Sequence, residues 1–80
     1  MIKVLFFARL KDQVGQAELT LTDDMAGKTL ADLQQSLIAQ GMIALQDDSI
    51  RIALNQNFST GDAIVQAGDE VAFMPPVTGG

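Results

Sequence analysis

The residues most able to do chemistry close the sequence: Phe73-Met74-Pro75-Pro76-Val77-Thr78-Gly79-Gly80. Glycine has no Cβ, so a Gly-Gly end carries its carboxylate into a narrow channel with no side chain in the way. That is what an enzyme needs if it activates a protein's own C-terminus. The carboxylate is ionised at neutral pH, its ordinary pKa being about 3.5, and it can attack the α-phosphorus of ATP to form an acyl-adenylate. An amine that attacks the adenylate makes a conjugated modifier; sulfur makes a thiocarboxylate. Gly80 is therefore the expected reacting residue, with Gly79 as the slim residue before it.

The remainder of the chain offers little competing chemistry. It has no Cys, His, Trp or Tyr, which rules out disulfides, thiolate nucleophiles and the usual zinc or copper sites. Ser-His and Cys-His catalytic pairs lack their base. Asp23-Asp24 and Asp47-Asp48 sit in turn-like stretches with nothing at ligand spacing beside them, so they are read as solvated acids and no metal site is assigned. Without cysteine, transferable sulfur can be held only at the terminus.

Something must position that terminus. Eighty residues make one small domain, read as residues 1–74 followed by a tail over 75–80. At 48% hydrophobic and 19% charged the composition is that of a globular domain. No apolar run approaches the roughly 20 residues that span a bilayer, and the sequence passes from Met1 directly into a strand. No signal peptide, no membrane partner and a cytoplasmic location are expected. Ten acidic residues against five basic give a net charge of −5, which argues against a nucleic-acid partner and for a basic protein partner.

Residues 2–8 (IKVLFFA) form a strand-length β-branched and aromatic run. Its period of two sets Ile2, Val4 and Phe6 on one face and Lys3, Leu5 and Phe7 on the other. Residues 8–14 suit a short helix stopped by Gly15, and residues 17–22 (AELTLT) alternate as a second strand. Thr29-x-x-Asp32 resembles a capping box that opens the main helix, with Leu30, Leu33 and Leu37 as its buried stripe up to Gly41. Residues 42–49 carry no clear signal. Residues 50–54 (IRIAL) alternate as a third strand, Asn55-Gln56-Asn57 turns the chain toward a short fourth strand at Phe58, and residues 70–74 (EVAFM) make the last. Pro75 then ends pairing, because proline has no N–H to donate.

The order β-β-α-β-β-β predicts an α+β domain with one main helix across one face of a mixed sheet of about five strands. It resembles the β-grasp, or ubiquitin-like, fold, in which the first and last strands are parallel neighbours and a flexible Gly-Gly tail leaves the end of the sheet. If the helix covers Ile2, Val4, Phe6, Ile52, Leu54, Val71 and Phe73, the open face presents Leu5, Phe7, Arg51, Ala53, Ala72 and Met74. Such an apolar face continuing into the tail is a candidate partner surface. Pro75-Pro76 favour an extended, stiff exit, and the six tail residues reach at most about 20 Å. Within a partner's channel Val77 and Thr78 can fix the register.

The opening Ile2-Lys3-Val4-Leu5-Phe6-Phe7-Ala8, the mid-chain Ala53-Leu54-Asn55-Gln56 and above all the ending from Gly68 to Gly80 resemble the small subunit of molybdopterin synthase, the MoaD family. The resemblance covers nearly the whole chain but not residues 42–49. It implies that Gly80 is adenylated, with ATP, by an activating enzyme similar to the E1 enzymes of ubiquitin. A sulfur donor protein then converts it to a thiocarboxylate, which gives its sulfur to a cyclic pyranopterin precursor. It further implies that Leu5, Phe7, Met74, Pro75 and Pro76 dock on the large synthase subunit, in a heterotetramer, while Val77, Thr78, Gly79 and Gly80 thread into it. Arg51 is expected at the partner interface, and Arg9 and Lys11 can pair with acids there. The acid/base groups belong to the large subunit on this scheme, so the chain is a co-substrate with no cofactor of its own. Three other readings stand beside it: a sulfur carrier for a thiamine-type pathway, a ubiquitin-like modifier that forms isopeptide bonds, and an interaction module with an inert tail.

Overall fold

Alternating burial along the first strand sets the architecture. The computed structural model describes residues 1–76. In β1, Ile2–Phe6, residues Ile2, Val4 and Phe6 are buried while Lys3 is exposed and Leu5 half-buried, as the period-two pattern requires. The chain continues through α1, Arg9–Val14; β2, Glu18–Leu21; a 3₁₀ turn, Asp23–Met25; α2, Leu30–Ala39; a second 3₁₀ turn, Ile43–Gln46; β3, Arg51–Leu54; β4, Asn57–Ser59; and β5, Glu70–Met74. The five strands form one sheet in the order β2-β1-β5-β3-β4. β1 and β5 run parallel in register Val4↔Val71 and Phe6↔Phe73, and the other neighbours are antiparallel. This is the expected β-grasp arrangement: the first and last strands lie side by side at the centre of the sheet.

The core lies between the sheet and α2. Ile2, Val4, Phe6, Val71 and Phe73 meet Leu30, Leu33 and Leu37, all essentially free of solvent contact. Phe6 and Phe73, paired across the parallel ladder, stack with centroids 6.0 Å apart and planes 15° from parallel. Ile52 and Leu54 face the same side but stay half-buried. A helix of ten residues is about 15 Å long, whereas five strands span about 19 Å, so cover thins toward the sheet's margin.

Two segments without periodic signal also enter the core. Leu45, in the second 3₁₀ turn, and Val65, in the loop before β5, are fully buried. The Gln34 side-chain amide donates to the Leu45 carbonyl at 2.7 Å and ties residues 42–49 to α2. The loop around Val65 closes the start of α2. Leu30 N–H donates to Ala63 O at 2.9 Å and Ala31 N–H to Gly61 O at 2.8 Å, while Thr29 Oγ1 accepts from Asp32 N–H at 3.0 Å. Three donors that a helix start leaves unpaired are thereby satisfied. At Gly61 a Cβ would lie 3.2 Å from the Ala31 Cβ, so this close approach favours glycine.

The expected short helix starts one residue later than its sequence pattern suggests, because Ala8 takes φ 53° and ψ −133°. Leu10 N–H donates to Phe7 O at 3.1 Å, closing a turn whose second residue is in a region that glycine enters freely and alanine does not. The strain follows directly after Phe7, where the chain swings from the sheet into α1. Ala8→Gly should raise stability by about 1 kcal/mol, the relief of strain exceeding glycine's extra unfolded entropy. A thermal melt checks this; a lower midpoint would show that Ala8 is unstrained.

Candidate functional site

The register brings most of the expected open-face residues together. Arg51 lies opposite Met74, and Ala53 lies opposite Ala72 on one side and Phe58 on the other. Leu5 pairs with Ala72, and Phe7 extends the ladder by donating its N–H to Phe73 O at 3.1 Å. The face carrying Leu5, Phe7, Arg51, Ala53, Ala72 and Met74 is thus the one turned away from α2. Ala53 and Ala72 are small and nearly covered. They floor an apolar depression of about 200 Å³ walled by Phe7, Phe58 and Met74, with Gln56 and Glu70 at its margin.

Exposure separates anchor from floor. Phe7 is 45% and Phe58 65% exposed, a large apolar surface to leave in water. Phe58 was not among the expected partner residues. It follows the Asn55-Gln56 turn, where both residues have positive φ, 51° and 71°, as a tight two-residue hairpin requires. That turn length fixes Phe58 opposite Ala53 and hence on the open face. The signal was present in the sequence, but only the β3–β4 register makes it readable. Asn55 also locks the hairpin to β5: its side chain donates to Asp69 Oδ1 at 3.0 Å and accepts from Glu70 N–H at 2.9 Å.

Pro75 and Pro76 belong to a different surface. Both are half-buried and line a groove of about 410 Å³ with Arg9, Leu10 and Gln13 of α1, Ile43 and Ala44 of the 3₁₀ turn, and Asp47 and Ile50. The single apolar surface expected for Leu5, Phe7, Met74 and Pro75 is therefore divided at residue 74. Met74 serves the open sheet face, and the prolines pass toward α1. Ile43, 65% exposed, adds an apolar edge there that sequence reading did not single out. The expectations for Val77, Thr78, Gly79 and Gly80 fall outside the described residues.

Charge around this end is partly basic. Arg9, Lys11 and Arg51 are exposed, and among the described residues the two ion pairs lie elsewhere, Met1 N with Asp23 at 2.7 Å and Lys3 with Glu18 at 3.9 Å. The guanidinium of Arg51 sits 4.4 Å from the centroid of the Phe58 ring. Asp47 is held below the usual carboxylate range by the Ser49 hydroxyl and N–H, and Asp62 by the Thr60 hydroxyl. Both are ordinary loop contacts. Among the described residues no three acids cluster as a metal site would require, and no helix is long and apolar enough to cross a membrane.

Comparison with known proteins places this arrangement. The profile described as the ThiS family matches residues 4–80. The molybdopterin synthase sulfur carrier subunit of Escherichia coli (strain K12) is 42% identical over the full length of both chains. The small archaeal modifier protein 1 of Methanosarcina acetivorans superposes with a TM-score of 0.79 at 27% identity, covering 99% of this chain and 95% of that one. A protein-protein complex of subunits 1 and 2 of the molybdopterin-converting factor from Helicobacter pylori 26695 contains a chain with the same fold, TM-score 0.69 at 21% identity, covering 99% and 97%.

Proposed function

The chain belongs to the ThiS family, and from that premise we propose that it is the sulfur carrier subunit of a molybdopterin synthase. The observation that carries this reading is the 42% identity along the whole of both chains to a protein of that name. The geometry suits it. The parallel β1–β5 pair ends beside an exposed apolar face that Met74 borders, and Pro75 leaves that face for the groove beside α1. A partner that covers this face therefore reaches Met74, the last residue of β5.

The chemistry runs at Gly80. Its carboxylate oxygen attacks the α-phosphorus of ATP on an activating enzyme similar to E1, and pyrophosphate leaves. Sulfur at the sulfide level, delivered by a donor protein, then attacks the acyl carbon; AMP leaves and a thiocarboxylate remains. On the large synthase subunit the thiocarboxylate sulfur bonds to a carbon of a cyclic pyranopterin precursor and displaces an oxygen substituent there, and water then cleaves the acyl–sulfur bond to return the tail to a carboxylate. Two such transfers make a dithiolene. Carrier and large subunit assemble as a heterotetramer. The carrier positions and presents; proton transfers fall to its partner, consistent with a chain that has no His or Cys.

Intact mass spectrometry of the protein from its host should find a fraction with one terminal oxygen replaced by sulfur. The thiocarboxylated protein, mixed with the cognate large subunit and a pyranopterin precursor, should yield the dithiolene. A thiocarboxylate without dithiolene would move the carrier to another pathway, such as the thiamine-type one. The likeness to the small archaeal modifier protein favours a second reading, conjugation to lysines. That reading predicts isopeptide-linked adducts in host extracts, and their absence beside a sulfur-bearing terminus removes it.

A further inference from the structure

Arg51 is a charge at the apolar end of the docking face. It opens β3 opposite Met74, on the side of the sheet that carries Phe7, Ala53, Ala72 and Phe58. The face's acids lie at the other end: Glu70 and Glu18 sit beside Lys3, and the four steps from Glu70 to Met74 span about 13 Å. Among the described residues no carboxylate lies within 4 Å of the guanidinium, the two ion pairs being elsewhere. A partner that covers this face strips water from Arg51, and a desolvated cation needs an acceptor.

Phe58 governs where that cation stands. It lies opposite Ala53, which makes it the diagonal neighbour of Arg51, within reach of a long side chain. The Arg51 Cζ is 4.4 Å from the ring centroid, well inside the distance at which a cation is attracted to an aromatic face. With 65% of its surface exposed, Phe58 adds little to the core. Its ring borders the apolar depression and also a neighbouring hollow that it shares with Arg51, Ser59 and Thr60. Resting on the ring, the guanidinium gives up part of its rotamer freedom before any partner arrives, which lessens the ordering cost of binding.

We propose that Phe58 is a positioning residue that holds Arg51 at the tail end of the sheet face to meet a carboxylate of the large synthase subunit. This deepens the carrier reading and rests on it. The partner is thereby specified as a surface with an apolar side chain for the depression and an acid beside it. In a chain of net charge −5, a cation at this point also discriminates: a partner with an acid here is drawn in, and one with Lys or Arg is repelled.

The test is the affinity of full-length carrier for its cognate large subunit, measured by calorimetry at low and high salt, with thermal melts verifying that each variant is folded. Arg51→Met should weaken binding about tenfold at low salt and flatten the salt dependence. Phe58→Leu, which keeps apolar bulk but removes the ring, should weaken it about threefold, and in the Arg51→Met background it should cost nothing further. Arg51→Met binding as tightly as the parent would overturn the proposal. So would an equal cost of Phe58→Leu in both backgrounds, since Phe58 would then be only an apolar contact. A loss seen toward the activating enzyme and absent toward the large subunit would place the carboxylate on the wrong partner and overturn it too. Dithiolene formation by the unmodified pair is the separate control: its absence fails the carrier reading, whereas a working pair indifferent to Arg51 fails only this inference.

Discussion

Deleting Gly80, or adding one alanine after it, should lower sulfur transfer at least a hundredfold while leaving the melting temperature unchanged. One residue moves the chain end by about 3.3 Å, and reacting groups displaced by as little as about 1 Å can lose a hundredfold in rate. Stability should not follow, because the packed core lies between Ile2 and Phe73, upstream of the change. The assay is dithiolene formation in a mixture of carrier, large subunit, activating enzyme, ATP and a sulfur source, read beside a thermal melt. An inert-tail interaction module predicts no change in either measurement. Normal transfer by the extended chain would show that Gly80 is not the residue that carries sulfur.

The second large effect separates two phenylalanines on opposite sides of the central strands. Phe7 is nearly half exposed and walls the depression, whereas Phe73 is fully buried and stacks on Phe6. Phe7→Ala should weaken docking on the large subunit by at least about 2 kcal/mol, roughly thirtyfold in Kd, with little change in melting temperature. Phe73→Ala should cost about 3–5 kcal/mol of folding stability, a large share of the 5–15 kcal/mol typical of a domain, and lower the melting midpoint by on the order of 20 °C. Calorimetric binding and circular-dichroism melts on both variants distinguish the roles. A Phe7→Ala protein that unfolds, or binds normally, would remove Phe7 from the docking surface.

Much of this was legible in the sequence because the relevant forces are local and periodic. The alternation of residues 2–6 fixes which side of β1 is buried, the Leu30, Leu33 and Leu37 spacing fixes the inner stripe of α2, and Thr29 caps it as its position suggests. Leu45 and Val65 were missed because a single apolar residue in a loop has no period, and its burial depends on where distant segments run. Phe58 was invisible as a surface anchor for a related reason. Its face depends on the length of the Asn55-Gln56 turn, which must be known to the residue. The parting of Met74 from Pro75 and Pro76 arises from the α1 groove, which forms only when residues 9–13 and 43–50 come together.

The parallel pairing of β1 with β5 has a consequence for biosynthesis. β5 sits between β1 and β3, contributes Val71 and Phe73 to the core, and is made after the other four described strands. Contacts between residues so far apart in sequence are slow to form and cannot begin before the later partner exists. A chain broken off before residue 70 lacks a central strand and cannot close its sheet, so it stays open to proteolysis. Folding thus acts as an inspection step: a copy that passes it has been translated at least through β5.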